Sequence, residues 1–153
     1  MAILAVPNIS EGRDPDRVTR LAGAFSEGVE LLDTHFDAVH NRSVFTLAGG
    51  TEGITAALLR GAATAIDEID MGAHEGVHPC IGALDVCPLV WHEDAARPDA
   101  EGAARAVAAS LGELGIPVFL YGEMATSRER RERAFFRHGG LAELGRRMAA
   151  GEL

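Results

Sequence analysis

Short apolar runs alternate with segments of helical period along this chain, and their order constrains the fold more than any other feature. Residues 2–6, "AILAV", form an apolar run that stops at Pro7-Asn8, a buried strand followed by a loop. In residues 11–28, Asp14 reads as an N-cap with Pro15 at the first helical position. Val18, Leu21, Ala22 and Phe25 then recur at helical spacing, and Gly28 closes the helix. Residues 29–37 and 41–50 read as two strands joined by the short connection "AVH". Thr51 can cap the next helix, residues 52–70, which carries Ile54, Leu58, Ala62 and Ile66 on one face. A strand is expected over 83–91, with Pro88 placing it at an edge or ending it early. A helix over 98–115, a strand over 116–124 and a mostly helical stretch over 127–149 complete the chain.

The first six elements run strand–helix–strand–strand–helix–strand, which is the split βαβ, ferredoxin-like order. The expected class is α+β, with an added helix–strand–helix after that unit. Each helix has one apolar stripe, so the helices are expected on one face of a mainly antiparallel sheet. The other face then needs cover from a second domain, a dimer partner or a substrate. The 153 residues fit one domain, 1–153, long enough to bury a sizeable core. Only 5% of the chain is aromatic, so that core rests on Ala, Leu, Val and Ile.

Charge and hydropathy exclude two classes of partner. A net charge of −9 argues against a nucleic-acid binder, which needs a basic surface to release counterions from phosphates. Asp, Glu or Arg interrupts every apolar stretch before it reaches membrane-spanning length. The N-terminus lacks a basic region of the secretory kind, so the chain is read as cytoplasmic. Cys80 and Cys87 lack the CxxC spacing of zinc and redox sites and read as free thiols. The late arginines, in "SRERRERAFFRHGG" and "GRRMAAGEL", read as a solvated face.

The chemistry concentrates in "AHEGVHPCIGALDV", residues 73–86. His74 and His78 stand four apart, the spacing of a helical metal pair, but Gly72, Gly76 and Pro79 oppose a helix there. They can instead be structural loop residues. Alternatively, one histidine is an acid/base at a glycine-lined turn that lets backbone approach a ligand. The residues by themselves leave these three readings open, and no metal is assigned.

Five blocks in order, "VPNISEG" (6–12), "DAVHNRSVFTLAG" (37–49), "IDMGAHEGVHP" (69–79), "IGALDVCPLV" (81–90) and "IPVFLYGEMA" (116–125), resemble the N-terminal half of a formiminotransferase domain. That domain occurs in glutamate formimidoyltransferase and in formiminotransferase-cyclodeaminase. The resemblance implies a ferredoxin-like subdomain and transfer of a formimino group from N-formimino-glutamate to tetrahydrofolate, the folate co-substrate. It also implies that His78, in the "HP" dipeptide, is the catalytic acid/base. Asn8, Asp37, His40, Asn41, Arg42, His74, Gly82 and Asp85 are the expected substrate-binding residues. Arg42 can pair with a substrate carboxylate, and Asp33, Asp37 or Asp85 can supply a carboxylate beside the cationic amidine. Family members usually carry basic residues around this histidine, where the present chain has Glu75, Val77 and Cys80. The family's cleft lies between two similar subdomains, so a homodimer or a separate C-terminal-subdomain partner is expected. The alternative is a non-catalytic folate-binding or partner-dependent module on the same fold.

Overall fold

A computed structural model describes all 153 residues. The chain forms β1 (Ile3–Ala5), β2 (Asn8–Ile9), α1 (Pro15–Ser26), β3 (Glu30–Asp37), β4 (Arg42–Gly49) and α2 (Thr51–Glu68). There follow β5 (Leu84–Val86), β6 (Leu89–Val90), α3 (Arg97–Glu113), α4 (Arg133–Arg137) and α5 (Gly140–Ala149). It is a mixed helix and antiparallel-sheet fold of the α+β class.

The six strands behave as four rows, because two rows are each interrupted by a proline that has no N–H to give. β1 and β2, separated at Pro7, both pair with β4. β5 and β6, separated at Pro88, pair with β2 and β1. β3 pairs with β4 on the far side, in a register that sets Asp37 opposite Arg42. The row order is therefore β3, β4, β1–β2, β5–β6, with every pair antiparallel. Pro88 lies in an edge row, as its missing donor requires.

Alternation along these strands sends one set of side chains to the helices and the other to the opposite face. Ser43, Phe45 and Leu47 are fully buried on the helix side. There α1, α2 and α3 contribute Leu21, Phe25, Ile54, Leu58, Ala62, Ala103 and Leu111 to one core with Ile3, Ala5 and Ile9. Each fully buried Leu or Ile contributes about 1.5–3 kcal/mol by leaving water. Phe25 and Phe45 sit with ring centroids 5.4 Å apart. Gly61 allows α2 to cross directly over the Phe25 ring, where any Cβ would overlap it. On the opposite face Val90 stays 41% exposed beside Leu4, its partner in the ladder.

Asp14 caps α1 as expected: its Oδ1 accepts from Asp16 N at 3.0 Å and Arg17 N at 3.1 Å, with Pro15 opening the helix. At α2 the cap position falls on Gly50, and Thr51 is already the first helical residue. The larger departure is the missing strand over 116–124. Ile116 N donates back to Leu111 O and closes α3, and the chain then runs on without a ladder to a 3-10 turn at Gly122–Met124. Pro117 lacks a donor, and the edge row it passes is broken at Pro88, so no continuous set of partners exists. The added unit is thus a helix, an unpaired stretch and two short helices. No helix is long and apolar enough to cross a membrane.

Candidate active site

The loop of residues 73–82 arrives where the "HNR" turn of the β3–β4 hairpin meets the start of β2. The turn itself is held by Asn41, which adopts φ 50°, a left-handed conformation that asparagine tolerates. Its Oδ1 accepts from Gly12 N at 3.0 Å, and its Nδ2 donates to Glu75 O at 2.9 Å. The same Nδ2 lies 3.3 Å from His74 Nδ1. His74 Nε2 is buried without a partner. One side chain therefore ties the hairpin turn, the loop after β2 and the histidine loop together.

Arg42, first residue of β4, directs four of its five guanidinium N–H groups to neighbours. Nε and Nη2 donate to Asn8 Oδ1 at 3.1 and 2.7 Å, and Asn8 Nδ2 donates in turn to Val6 O. Nη1 donates to Asp85 Oδ2 at 3.2 Å and stands 3.0 Å from His78 Nδ1. The Asp85 side chain is fully buried, its Oδ1 accepting from Ile81 N at 2.7 Å and its Oδ2 taking a second guanidinium, Arg137. Arg137 also donates to Pro79 O, so α4 grips the loop directly behind the histidine. Gly82 closes the far end of that loop, its carbonyl accepting from buried Ser10 Oγ at 2.7 Å.

Burial, then the charges of Arg42 and Arg137, push the His78 pKa below its ordinary 6.5. The imidazole is neutral at neutral pH and able to accept a proton. His78, Cys80 and Asp85 also place one donor atom each within 4.8 Å of one another. The donor set suits a cation poorly. Asp85's oxygens are committed to two guanidiniums and an amide, and burial raises the Cys80 pKa, keeping the thiol protonated.

Of the residues singled out from sequence, Asn8, Arg42, His78 and Asp85 form one connected cluster, and Gly82 closes its loop. Asn41 and His74 form the adjoining layer. Asp37 and His40 make a separate pair at the hairpin tip, with His40 Nδ1 at 3.1 Å from Asp37 Oδ1. The backbone and side chain of His40 hold the Asp37 pKa below the ordinary carboxylate value. Asp33 lies opposite Thr46, further along β3. Arg137 was missing from the expected set, because its stretch reads as a solvated helix face. Nothing local in that sequence marks one arginine of the series as the one that turns inward.

A four-row antiparallel sheet backed by three helices, with a histidine loop gathered onto Arg42 and Asp85, defines an α+β unit with a polar cluster at one end of the sheet. Residues 2–152 match the family described as the formiminotransferase domain, N-terminal subdomain, and the chain belongs to that family. It is 42% identical over 137 residues to the glutamate formimidoyltransferase of Streptococcus pyogenes serotype M1, covering 88% of this chain and 46% of the relative. The glutamate formimidoyltransferase of Thermoplasma acidophilum is 42% identical over 136 residues, covering 87% and 45%. The formimidoyltransferase-cyclodeaminase of Gallus gallus is 38% identical over 146 residues, covering 94% and 27%. The chain thus spans less than half the length of these relatives.

Proposed function

We propose that this chain supplies the acid/base half of a formiminotransferase, moving a formimino group from N-formimino-glutamate to N5 of tetrahydrofolate. The observation that carries the reading is the partly exposed, neutral imidazole of His78 at a loop whose neighbours Glu75 and Val77 are exposed. Arg42 Nη1 faces its ring nitrogens at 3.0 and 3.3 Å, so the ring takes a substrate proton by turning its base nitrogen away from Arg42. In the forward step N5 attacks the amidine carbon and the N5 proton passes to His78. Collapse of the tetrahedral adduct breaks the bond to the glutamate nitrogen, which takes the proton back from His78 and leaves as an amine. Asn8, Arg42 and Asp85 act here by positioning, since their hydrogen bonds are already committed. The fold reading as a ferredoxin-like split βαβ unit is supported by the row order and the antiparallel pairing.

Residues 1–153 are read as one unit that supplies one wall of a cleft. The sheet face opposite the helices, with Leu4 and Val90 on it, faces the second wall, either a second copy or a separate C-terminal-subdomain partner. A second reading, a folate-binding module without turnover, is favoured by Arg42: its guanidinium has no fork left for a substrate carboxylate.

The test is formimino transfer from N-formimino-glutamate to tetrahydrofolate by the purified chain, beside His78→Ala, with folate binding measured in parallel. Turnover that falls by about 100-fold or more in the variant supports the transferase, the usual scale for a lost general acid/base. Folate binding without turnover supports the second reading. Neither binding nor turnover sinks both for the chain alone.

A further inference from the structure

On the helix side of the sheet, α3, the β5–β6 row, the unpaired stretch 116–124 and α4–α5 enclose a cavity of about 480 Å³. That lies within the range of about 300–1,000 Å³ that small-molecule sites occupy. The wall is mainly apolar, with Trp91, Val107 and Phe136 among its large side chains. Five charged residues reach it: Asp85, Glu101, Glu123, Arg133 and Arg137. Four of these are already in ion pairs, Asp85 with Arg137, Glu101 with Arg97, and Glu123 with Arg97 and Arg131. Arg133 takes part in none. Arg133 lies at the exposed rim, and Tyr121 lines the same pocket with a solvent-shielded hydroxyl that has no hydrogen-bond partner. An orphaned hydroxyl and an unpaired cation lining one mainly apolar pocket are the complement of an acceptor carrying one negative charge.

We propose that this cavity binds a small amphipathic carboxylate, an aliphatic chain with a single terminal charge. Its chain fills the apolar chamber, and its carboxylate accepts from Tyr121 Oη and pairs with Arg133. A single unpaired guanidinium at the pocket, in a protein of net charge −9, suits a monoanion rather than a polyanion. The pocket adjoins the His78 cluster through Gly82, Asp85 and Arg137, and binding of the aliphatic chain does not require formimino transfer.

Trp91 is the only tryptophan and stands in the wall, so its fluorescence reports occupancy. The experiment titrates the 153-residue chain with octanoate and, separately, with octan-1-ol. Saturable octanoate binding is expected, with octan-1-ol weaker by roughly tenfold, the worth of one charge-assisted contact. Arg133→Gln is expected to weaken octanoate by roughly the same factor and leave octan-1-ol unchanged. Ala108→Phe, which narrows the chamber from α3, removes binding of both, while thermal melting confirms that each variant is folded. No saturable octanoate signal overturns the proposal, and so does equal affinity for both probes together with an unaffected Arg133→Gln.

Discussion

Arg137, in a helix of five residues near the end of the chain, donates to Asp85 Oδ2 at 2.9 Å across 52 positions of sequence. With its further bond to Pro79 O, it is the tie between the C-terminal helices and the histidine loop. Arg137→Gln is expected to lower stability by about 1.5–3 kcal/mol, the usual worth of a hydrogen bond between charged partners. Urea unfolding reads this as a lower midpoint at unchanged slope. An unmoved midpoint would mean that α4 does not hold the loop.

Asp85 is the only anion between two guanidiniums, and its side chain is fully buried. Asp85→Asn keeps the shape and the acceptor for Ile81 N but leaves Arg42 and Arg137 facing each other uncompensated. A cost of about 3–5 kcal/mol is expected, as for a broken buried pair. In the double variant with Arg137→Gln the two losses should sum to less than their separate values, because the repulsion is relieved. Additive losses in that cycle contradict the coupling.

The lowered His78 pKa fixes the sign of two pH effects. The base form is the active one, so activity is lost as pH falls through the depressed value, and the acid limb of the rate profile lies below pH 6.5. Arg42→Gln removes one of the charges that oppose imidazolium, so its limb should move up toward the ordinary value. For stability, the unfolded imidazole takes up a proton near pH 6.5 while the folded one resists, so His78 costs stability as pH drops below that point. The cost levels off below the folded value. Melting temperatures of His78→Gln between about pH 5 and 7 should be flatter than those of the parent.

Glu11 is 5% exposed and accepts from Arg13 N at 2.8 Å, Asp14 N at 3.0 Å and Arg17 Nη1 at 2.5 Å. Burial raises its pKa, but the two backbone bonds and Arg17 outweigh it and hold the value below 4.5. Its contribution is therefore present above pH 4.5 and lost as pH falls through the depressed folded value. Glu11→Gln is expected to cost about 1–3 kcal/mol at neutral pH. The gap to the parent should close in acid, and a gap constant with pH would count against the ionised Glu11.

Gly12 is pressed against backbone atoms of Asp37 and Arg42, so a Cβ there would sit inside their contact distance. Backbone cannot swing away as a side-chain end can. Gly12→Ala is expected to cost roughly 3 kcal/mol, the upper end for overpacking, and to loosen Asn41 and Arg42 together. Hydrogen exchange at the Gly12 amide, which Asn41 protects, reads that loosening directly.

The sequence by itself determined the elements whose signals are local. Asp14-Pro15 set the start of α1, the period of Val18, Leu21 and Phe25 set its buried stripe, and the runs over 29–37 and 41–50 marked the β3–β4 pair. It also marked the histidine loop through His78-Pro79 and the turn residues around it. What only the tertiary structure decided was pairing between distant parts. A strand exists only where partners line up, so residues 116–124, apolar enough for one, remain outside the sheet beside a proline-broken edge. In the same way, nothing in "SRERRERAFFRHGG" distinguishes Arg137 from its neighbours until folding brings it to Asp85. The contacts of Arg42 with Asn8, His78 and Asp85 likewise join residues that lie far apart in sequence. Helical period and strand alternation act over a few residues, whereas a buried charge is satisfied by whichever partner the assembled fold delivers.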